Sequence, residues 1–351
     1  MYPTRVLFVL KAQDGSGSDG YSGSYSEACH YGESVLNRGL YFSARYIVDM
    51  LNENDVDARL VQVLDGDFID REIVKYQPTD VVLEALWVTP AKLDELIALH
   101  PEISWTVRIH SEIPFLAQES IAIDWINKYF DRGVTVAFNS SRSFNAFRNL
   151  YLDDPLVLLP DYFPVQPKQR ELACDGALNI SCFGSLRVMK NQLNQAVAAI
   201  RFGDETGQPI RFHINNCFHG CNTGRSILNN LRQLFESSAP HRLVEHEWLS
   251  ERDFQSVLSK MDIGMQVSFS ESFNIVSAQT ANFHIPIVVS DEIVWASGLI
   301  KACPTSISEM VAKLKVADSN ILGPLAAEHN LRGLKRYSKE SEKLWLQYYG
   351  N

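Results

Sequence analysis

The sequence alternates short β-rich runs with amphipathic helical stretches, and this alternation constrains the fold more than any other feature. In the first half, the predicted helices separate the predicted strands. Strands separated by helices indicate βαβ units, and these units build a parallel sheet. The predicted strands cover residues 5–10, 58–63, 81–86, 105–109 and 134–138, and the predicted helices cover 40–52, 91–100, 121–130 and 141–150.

The same alternation starts again after a proline-rich segment. Residues 160–170 (PDYFPVQPKQR) contain three prolines and no periodicity, which is typical of a linker between domains. The 351 residues suffice for about two domains. We therefore predict an α/β protein with two Rossmann-like domains facing a central cleft, at 1–165 and 166–325, followed by a C-terminal helix at 326–351. The second set of strands is predicted at 178–183, 210–214, 243–247, 263–267 and 287–289, with helices at 192–201, 225–235, 251–260, 275–283 and 325–349.

The composition is that of an ordinary globular protein, with 46% hydrophobic and 21% charged residues. No apolar run approaches the ~20 residues that span a bilayer. The apolar stretch near the N-terminus is short and is followed directly by Lys11, which predicts a first strand rather than a signal peptide. Six scattered cysteines do not suggest a disulfide framework. We expect a cytoplasmic protein without a membrane span.

Charge is distributed unevenly along a chain whose net charge is −10. Residues 1–165 contain 13 Lys and Arg against 24 Asp and Glu, whereas residues 166–351 contain 19 against 18. A polyanion needs a basic surface, so a nucleic-acid partner is possible but is not favoured by the first half. The second half is better suited to a small anion such as a nucleotide diphosphate.

Residues 261–291 predict a strand, a serine-rich turn, a helix and a second strand. The free N–H groups and the dipole at the start of that helix suit a phosphate, so Phe273 and Asn274 are candidate diphosphate-binding residues. Glu271 lies in the turn, where its carboxylate can face the cleft. Gln279 follows about two helical turns later, on roughly the same face. The alternative is that Glu271 only complements the helix dipole.

A second candidate loop lies at residues 183–191 (FGSLRVMKN). The strand ends at Gly184, and a helix begins near Asn191. The loop can therefore place Arg187 and Lys190 beside a helix N-terminus, which suits a diphosphate leaving group. The alternative is that both residues carry ordinary surface charge.

Together these two stretches resemble the donor site of retaining GT-B glycosyltransferases of the family-four group. That group has an acidic-Ser-Phe-Gly-hydrophobic turn, a second Glu eight residues after the first, and a Gly-Val-Pro-Val-Val strand entry. This chain departs from the pattern at Gln279 and His284. The group's Gly-Arg-Leu…Lys-Gly loop is matched by Gly184 and Lys190, which are therefore diphosphate-binding candidates. Ser185 stands at the group's Arg position, so Arg187 is the candidate for the second cation. The resemblance covers about residues 177–295.

The resemblance implies transfer of a sugar from a nucleoside-diphosphate sugar, UDP-linked by default, with retention of configuration. It gives Glu271 a catalytic role at the hydroxyls of the transferred sugar and Gln279 a role at the ribose. Lys190 and Arg187 would neutralise the leaving diphosphate, so no metal or other cofactor is expected. The C-terminal helix would return to the first domain. The candidate acceptors are a glycan, a small metabolite or a hypermodified DNA base.

The first half offers one further candidate, His110, at the carboxyl end of the predicted strand 105–109. GT-B enzymes often carry a cleft histidine there that touches acceptor or donor sugar, so His110 is a candidate catalytic residue. A structural or capping histidine is the alternative. Asn139 and Ser140, after the next strand, resemble the family's Asn-Ser pair.

Three other interpretations deserve weight. Gly15, Gly17 and Gly20 match the dinucleotide fingerprint, but no helix opens within that motif, which favours a mobile loop. His213, Cys217, His219 and Cys221 are metal-binding types at a spacing that follows no standard zinc pattern, so no metal site is predicted. The departures at Gln279 and His284 leave a non-catalytic nucleotide-binding or scaffold protein as the rival function.

Overall fold

The computed structural model of the chain describes residues 4–12, 38–171, 176–216 and 222–350. The chain divides into two compact units. The first comprises Met1–Tyr162 with Glu340–Asn351, and the second comprises Phe163–Lys339. Within the described ranges, no helix is long and apolar enough to cross a membrane.

The first unit is a six-stranded parallel sheet with the strand order β2-β1-β3-β4-β5-β6. Its strands are β1 (Arg5–Lys11), β2 (Asp57–Val63), β3 (Asp80–Glu84), β4 (Ser104–Ile109), β5 (Thr135–Phe138) and β6 (Leu156–Leu158). Its helices are α1 (Arg38–Glu53), α2 (Asp67–Tyr76), α3 (Pro90–Leu99), α4 (Ile113–Leu116), α5 (Ala122–Phe130) and α6 (Ser141–Arg148).

The second unit is a five-stranded parallel sheet with the strand order β11-β10-β7-β8-β9. Its strands are β7 (Leu178–Ser181), β8 (Ile210–Asn215), β9 (Arg242–His246), β10 (Ile263–Gln266) and β11 (Ile287–Val289). Its helices are α7 (Gln192–Thr206), α8 (Asn222–Glu236), α9 (Glu251–Leu258), α10 (Ile275–Asn282), α11 (Ile307–Asp318) and the start of α12 (Leu322–Tyr349).

The strands are nearly continuous apolar runs because both faces of the parallel sheet are buried. In β1, Val6 and Phe8 belong to one hydrophobic cluster, and Leu7 and Val9 belong to another. Successive side chains of a strand point to opposite faces, so the sheet is covered on both sides. Two parallel α/β sheets confirm the predicted fold class.

The end of α12 completes the core of the first unit. Trp345 is fully buried, and its ring lies 5.7 Å from that of Phe8 between centroids. Its Nε1 donates a hydrogen bond of 2.7 Å to the carbonyl oxygen of Pro160. The last turns of the chain are therefore part of this core.

Replacing Trp345 by Ala should destabilise the first unit by about 3–5 kcal/mol, because it leaves a large cavity and an unpaired carbonyl. Thermal and urea unfolding of the variant would measure this loss. Tyr348→Ala is the matched control, since Tyr348 is 37% exposed and should cost less than about 1 kcal/mol. Equal losses in the two variants would contradict the proposed role of Trp345.

Candidate functional site

Both candidate loops of the second unit begin at the same sheet edge. One follows β7 and the other follows β10, and these two strands are parallel neighbours. Parallel neighbours have their carboxyl ends at one edge, which is where open α/β sheets bind ligands. The loops touch directly, since the backbone N–H of Phe269 donates a 2.8 Å hydrogen bond to the carbonyl of Met189.

At the centre of this edge, the ammonium group of Lys190 forms an ion pair with the carboxylate of Glu271. The hydroxyl of Ser268 also donates to the same carboxylate oxygen, at 3.1 Å. The side chain of Lys190 is 26% exposed and that of Glu271 is 9% exposed, so solvent and ligands can reach the pair. The structure thus brings together two candidate residues that are 81 positions apart.

Buried amide side chains fix the backbone around this ion pair. Gln195 donates to the carbonyl of Lys190 at 2.8 Å and accepts from the N–H of Val267 at 2.9 Å. Asn191 donates to the carbonyls of Val267 and Pro304 at 3.0 and 2.7 Å. Each amide joins the Lys190 loop to another segment, so the loop has little freedom to move.

A second chain of amides links the other parts of the site. The N–H of Gly184, a residue with φ of 120°, donates to Asn215 Oδ1 at 2.9 Å. Gln266 donates to the carbonyl of Phe183 at 2.8 Å and accepts from Asn274 Nδ2 at 3.0 Å. The sequence analysis did not identify Gln195 or Gln266. Each is an amide residue among apolar neighbours, and this pattern could have indicated a buried amide with a structural hydrogen bond.

Three left-handed backbone positions fall where the family pattern has glycine. These are Asn191, Asn274 and His284, with φ values of 58°, 65° and 55°. Only glycine adopts this region without a steric penalty, while asparagine tolerates it better than most residues. All three positions therefore have the left-handed backbone that glycine adopts most easily, although none of them is glycine.

Asn274 also caps helix α10, because its side chain accepts from the N–H of Ser277 at 2.8 Å. The helix therefore does not depend on Glu271 for its cap. His284 closes the other end of α10 through hydrogen bonds from His284 N to Ala281 O and from Ile285 N to Thr280 O, at 3.0 and 3.4 Å. This pair of bonds is a Schellman motif, in which glycine is the usual residue at the position of His284.

The remaining candidates of the second unit occupy different settings. Arg187 is half-buried and precedes the Val188–Lys190 turn, so it lies in the same loop as Lys190. Gln279 is buried within α10. The ring of Phe273 is buried and stacks on Tyr337 at 5.2 Å, and its carbonyl accepts from Trp295 Nε1 at 3.2 Å. The side chain of Phe273 therefore stabilises the turn by packing in the interior of the second unit.

Glu292 is a neighbour of this site that the sequence did not indicate. It follows β11, and its carboxylate accepts a long hydrogen bond of 3.4 Å from the backbone N–H of Glu271. The sequence feature that could have indicated Glu292 is its position just beyond the end of a predicted strand at the same sheet edge.

In the first unit, His110 follows β4 and lies beside a buried charged network. Its Nε2 is hydrogen-bonded to the carboxylate of Glu84, which is fully buried at the end of β3. Arg108 contacts Glu84 at 3.1 Å and Asp161 at 2.9 Å. Sequence reasoning missed Glu84 and Arg108 because each stands in an apolar run that predicts only a buried strand, and it missed Asp161 because the proline-rich segment 160–170 predicts a linker.

Burial and the neighbouring groups shift the pKa values of these buried side chains in opposite directions. Burial raises the pKa of Glu84, but Arg108 and His110 outweigh it and hold the pKa below its usual value. The same groups lower the pKa of Asp161 against the effect of burial. Burial opposes the charge of Arg108, while both carboxylates raise its pKa. All three groups are therefore held in their charged forms.

Of the four residues considered for zinc, His213 lies within the described part of the chain. His213 Nδ1 lies 2.9 Å from His246 Nε2, and His213 Nε2 lies 3.1 Å from Asn179 Oδ1. Cys217, His219 and Cys221 lie outside the described residues, as do Gly15, Gly17 and Gly20. Among the residues that the structure describes, no group of three or more His, Cys, Asp or Glu side chains is arranged to hold a metal ion.

Comparison with solved structures identifies the architecture. An E. coli trehalose-6-phosphate protein bound with UDP-2-fluoro glucose matches with a TM-score of 0.69 at 10% identity, over 99% of this chain and 98% of that one. The chain has the GT-B fold. No family model and no curated protein matches it by sequence.

Two other solved GT-B structures are similar over most of this chain. The UDP-forming α,α-trehalose-phosphate synthase from Burkholderia xenovorans, in complex with glucose-6-phosphate, has a TM-score of 0.66 at 11% identity, with 98% of each chain covered. A mutant of S. aureus TarM, in complex with fondaparinux, α-GlcNAc-glycerol and UDP, has a TM-score of 0.60 at 12% identity, over 77% of this chain and 55% of that one. The GT-B architecture predicted from the sequence is confirmed.

His284→Gly should stabilise the second unit by about 1 kcal/mol, because glycine removes the Cβ penalty at a left-handed C-terminal cap. The expected rise in Tm is about 2–4 °C. His284→Ala is the matched control, since it removes the imidazole but keeps the Cβ atom. If His284→Ala also raises the Tm, the gain in stability comes from removing the imidazole. That result would contradict the explanation from the left-handed backbone.

Burial lowers the pKa of His246 from its ordinary value of 6.5, which predicts a pH-dependent loss of stability. As the pH falls through that value, the unfolded chain takes up the proton before the folded chain does, so the free energy of unfolding decreases. Denaturant unfolding between pH 7.5 and 5 should show a smaller decrease for His246→Gln than for the wild type. Parallel curves would contradict the prediction.

Proposed function

We propose that this chain is a glycosyltransferase that takes a sugar from a nucleoside-diphosphate sugar, UDP-linked, and transfers it to an acceptor hydroxyl. The observation that carries this proposal is the Lys190–Glu271 ion pair at the carboxyl edge of the second sheet. Two loops that resemble two parts of one donor site meet at this pair. Their contact joins a cation suited to phosphate with a carboxylate suited to sugar hydroxyls.

The ion pair also suggests how a donor binds. The diphosphate is a stronger partner for Lys190 than a single carboxylate, because it offers more charge and more acceptor oxygens. When the diphosphate takes over Lys190, the carboxylate of Glu271 is released toward the sugar. During transfer, charge develops on the departing diphosphate, and Lys190 stabilises it, with Arg187 as the second cation of the same loop. This scheme uses no metal.

The nucleotide would extend along helix α10, where Gln279 is the proposed partner of the ribose. A neutral amide both donates and accepts hydrogen bonds, so it can replace a carboxylate there. Retention of configuration and the family-four assignment stay predictions from the resemblance. Cytoplasmic location is likewise an expectation.

The similar structures support a UDP-sugar donor more than any particular acceptor. One was solved with UDP-2-fluoro glucose, one with glucose-6-phosphate, and one with UDP and α-GlcNAc-glycerol. These ligands belong to those proteins. For this chain a sugar phosphate joins the glycan, small metabolite and hypermodified DNA base as candidate acceptors.

A nucleotide-binding scaffold of the same fold is the rival function. Its support came from Gln279 and His284, where the chain departs from the family pattern. His284 adopts the left-handed backbone that glycine adopts most easily, so the replacement of the pattern's glycine is compatible with this turn. Of these two departures, Gln279 is then the one that favours the rival.

Glu271→Gln should lower sugar-nucleotide turnover by ~100-fold or more, because it removes a preorganised charge beside the sugar. Its affinity for UDP should be equal or tighter, since Lys190 loses a competing partner.

Lys190→Ala should weaken UDP binding and lower kcat/KM, at a cost in transition-state stabilisation of about 1.5–3 kcal/mol. Calorimetry with UDP in EDTA, and mass spectrometry of UDP-sugar consumption, would measure both effects.

Glu205→Gln and Lys315→Ala are matched controls on the surface of the same unit, where Lys315 and Glu205 pair at 2.7 Å. Both should leave affinity and turnover unchanged. Wild-type binding of UDP without hydrolysis or transfer would support the scaffold. No binding of any nucleoside diphosphate would exclude the donor site.

A further inference from the structure

The buried amide of Gln195 connects the two sides of the Lys190–Glu271 ion pair. Gln195 belongs to helix α7 and is fully buried. On one side its Nε2 donates to the carbonyl of Lys190 at 2.8 Å. On the other side its Oε1 accepts from the backbone N–H of Val267 at 2.9 Å, and the next residue, Ser268, donates through its hydroxyl to the carboxylate of Glu271. One side chain is therefore bonded to the backbone of the cation and to the segment that holds the anion.

Packing alone does not require an amide at position 195. An amide that is buried among apolar residues is costly unless its polar groups are hydrogen-bonded, and an apolar side chain of similar length would fill the same space. Both polar groups of Gln195 are bonded, and both bonds lead to the proposed donor site. The apolar neighbours of Gln195 in α7 that belong to the core of the second unit are Ala196, Ala198, Ala199 and Phe202.

The left-handed turn at Asn191 explains why the backbone of Lys190 needs a side-chain partner. With a φ of 58°, Asn191 separates the Val188–Lys190 turn from α7, which begins at Gln192. The carbonyl of Asn191 accepts a hydrogen bond from the backbone N–H of Gln195 at 3.3 Å and so starts the helical ladder. The carbonyl of Lys190 comes before that ladder, and its partner is the side chain of Gln195.

We propose that Gln195 is a positioning residue, which sets the two loops against each other so that the ammonium group of Lys190 is presented to the donor diphosphate. This inference rests on the proposed function. Because Gln195 is fully buried, it acts through Lys190 and does not touch the donor. Asn191 joins the same two segments through the carbonyl of Val267, so loss of the Gln195 amide should shift the loop without unfolding the unit.

Gln195→Met removes both hydrogen bonds with little change in side-chain size. The carbonyl of Lys190 and the N–H of Val267 then lose these partners, so the loop should relax away from its present position. We expect UDP affinity and kcat/KM for the sugar nucleotide to fall about 10-fold. Calorimetry with UDP in EDTA, and mass spectrometry of UDP-sugar consumption, would measure both. Unchanged affinity and turnover would overturn the inference.

The same substitution in a Lys190→Ala background separates positioning from general damage to the unit. If Gln195 acts through Lys190, Gln195→Met should weaken UDP binding by about 2-fold or less once the ammonium group is gone. A merely structural role predicts the same loss of affinity in both backgrounds, and that result would overturn the inference.

Gln195→Glu offers a rescue that depends on pH. A protonated carboxyl has the size of the amide, donates to the carbonyl of Lys190 and accepts from Val267, whereas a carboxylate only accepts. Burial raises the pKa of such a carboxyl. Compared with the wild type at each pH, UDP affinity of this variant should be equal at pH 5.5 and should fall as the carboxyl ionises. An affinity about 10-fold below the wild type at pH 5.5 would overturn the inference. This measurement decides if Gln195→Met does not fold.

Asn282→Leu is the matched control in the same unit. Asn282 is buried, and its Oδ1 accepts from the backbone N–H of Gln166 at 2.9 Å, at the end of α10 away from the turn of Glu271. We expect a lower Tm with unchanged UDP affinity, and an equal loss of affinity in this control would overturn the inference. A wild-type protein that binds no nucleoside diphosphate would overturn the proposed function as well. A wild type that binds UDP no better than Gln195→Met does overturns the inference alone.

Discussion

Parallel strand pairing is the constraint on which both sites depend. Every strand of a parallel sheet ends at the same edge, so side chains that follow neighbouring strands meet although they are far apart in sequence. The pairing of β7 with β10 brings the loops of Lys190 and Glu271 together. The pairing of β3 with β4 does the same for Glu84 and Arg108, with His110 just beyond.

In the loops of the second unit, residues other than glycine occupy the left-handed backbone positions where the family pattern has glycine. Asn191, Asn274 and His284 adopt the left-handed region at a penalty of roughly 1–2 kcal/mol each for an unfavourable residue. Two of the three are asparagines whose side chains form hydrogen bonds that glycine cannot form, to Pro304 and Gln266 among others. Those bonds offset part of the penalty and join the loops. A departure from a sequence motif at a glycine is therefore compatible with a left-handed backbone at that position.

The sequence predicted the parts of the structure that local pattern determines. The strands, the two parallel sheets and the loops of Lys190 and Glu271 follow from apolar periodicity and from motifs that lie close together in the chain. The three-residue strand β6 escaped notice because its pairing with β5, not its composition, makes it a strand. The Glu84–Arg108 pair escaped for a related reason, since only the register of β3 and β4 shows that two charges in separate apolar runs neutralise each other.

The two ion-paired sites differ in burial, and this difference suits them to different tasks. Arg108, Glu84 and Asp161 have side-chain exposures of 0%, 0% and 5%, so no ligand can replace one partner without leaving another charge buried and unpaired. Such a network is suited to holding a neighbouring imidazole in one orientation. Lys190 is 26% exposed, so water and ligands can reach its ammonium group, and a second anion can compete with Glu271 for it. The second arrangement is therefore compatible with the proposed exchange of a carboxylate for a diphosphate at Lys190.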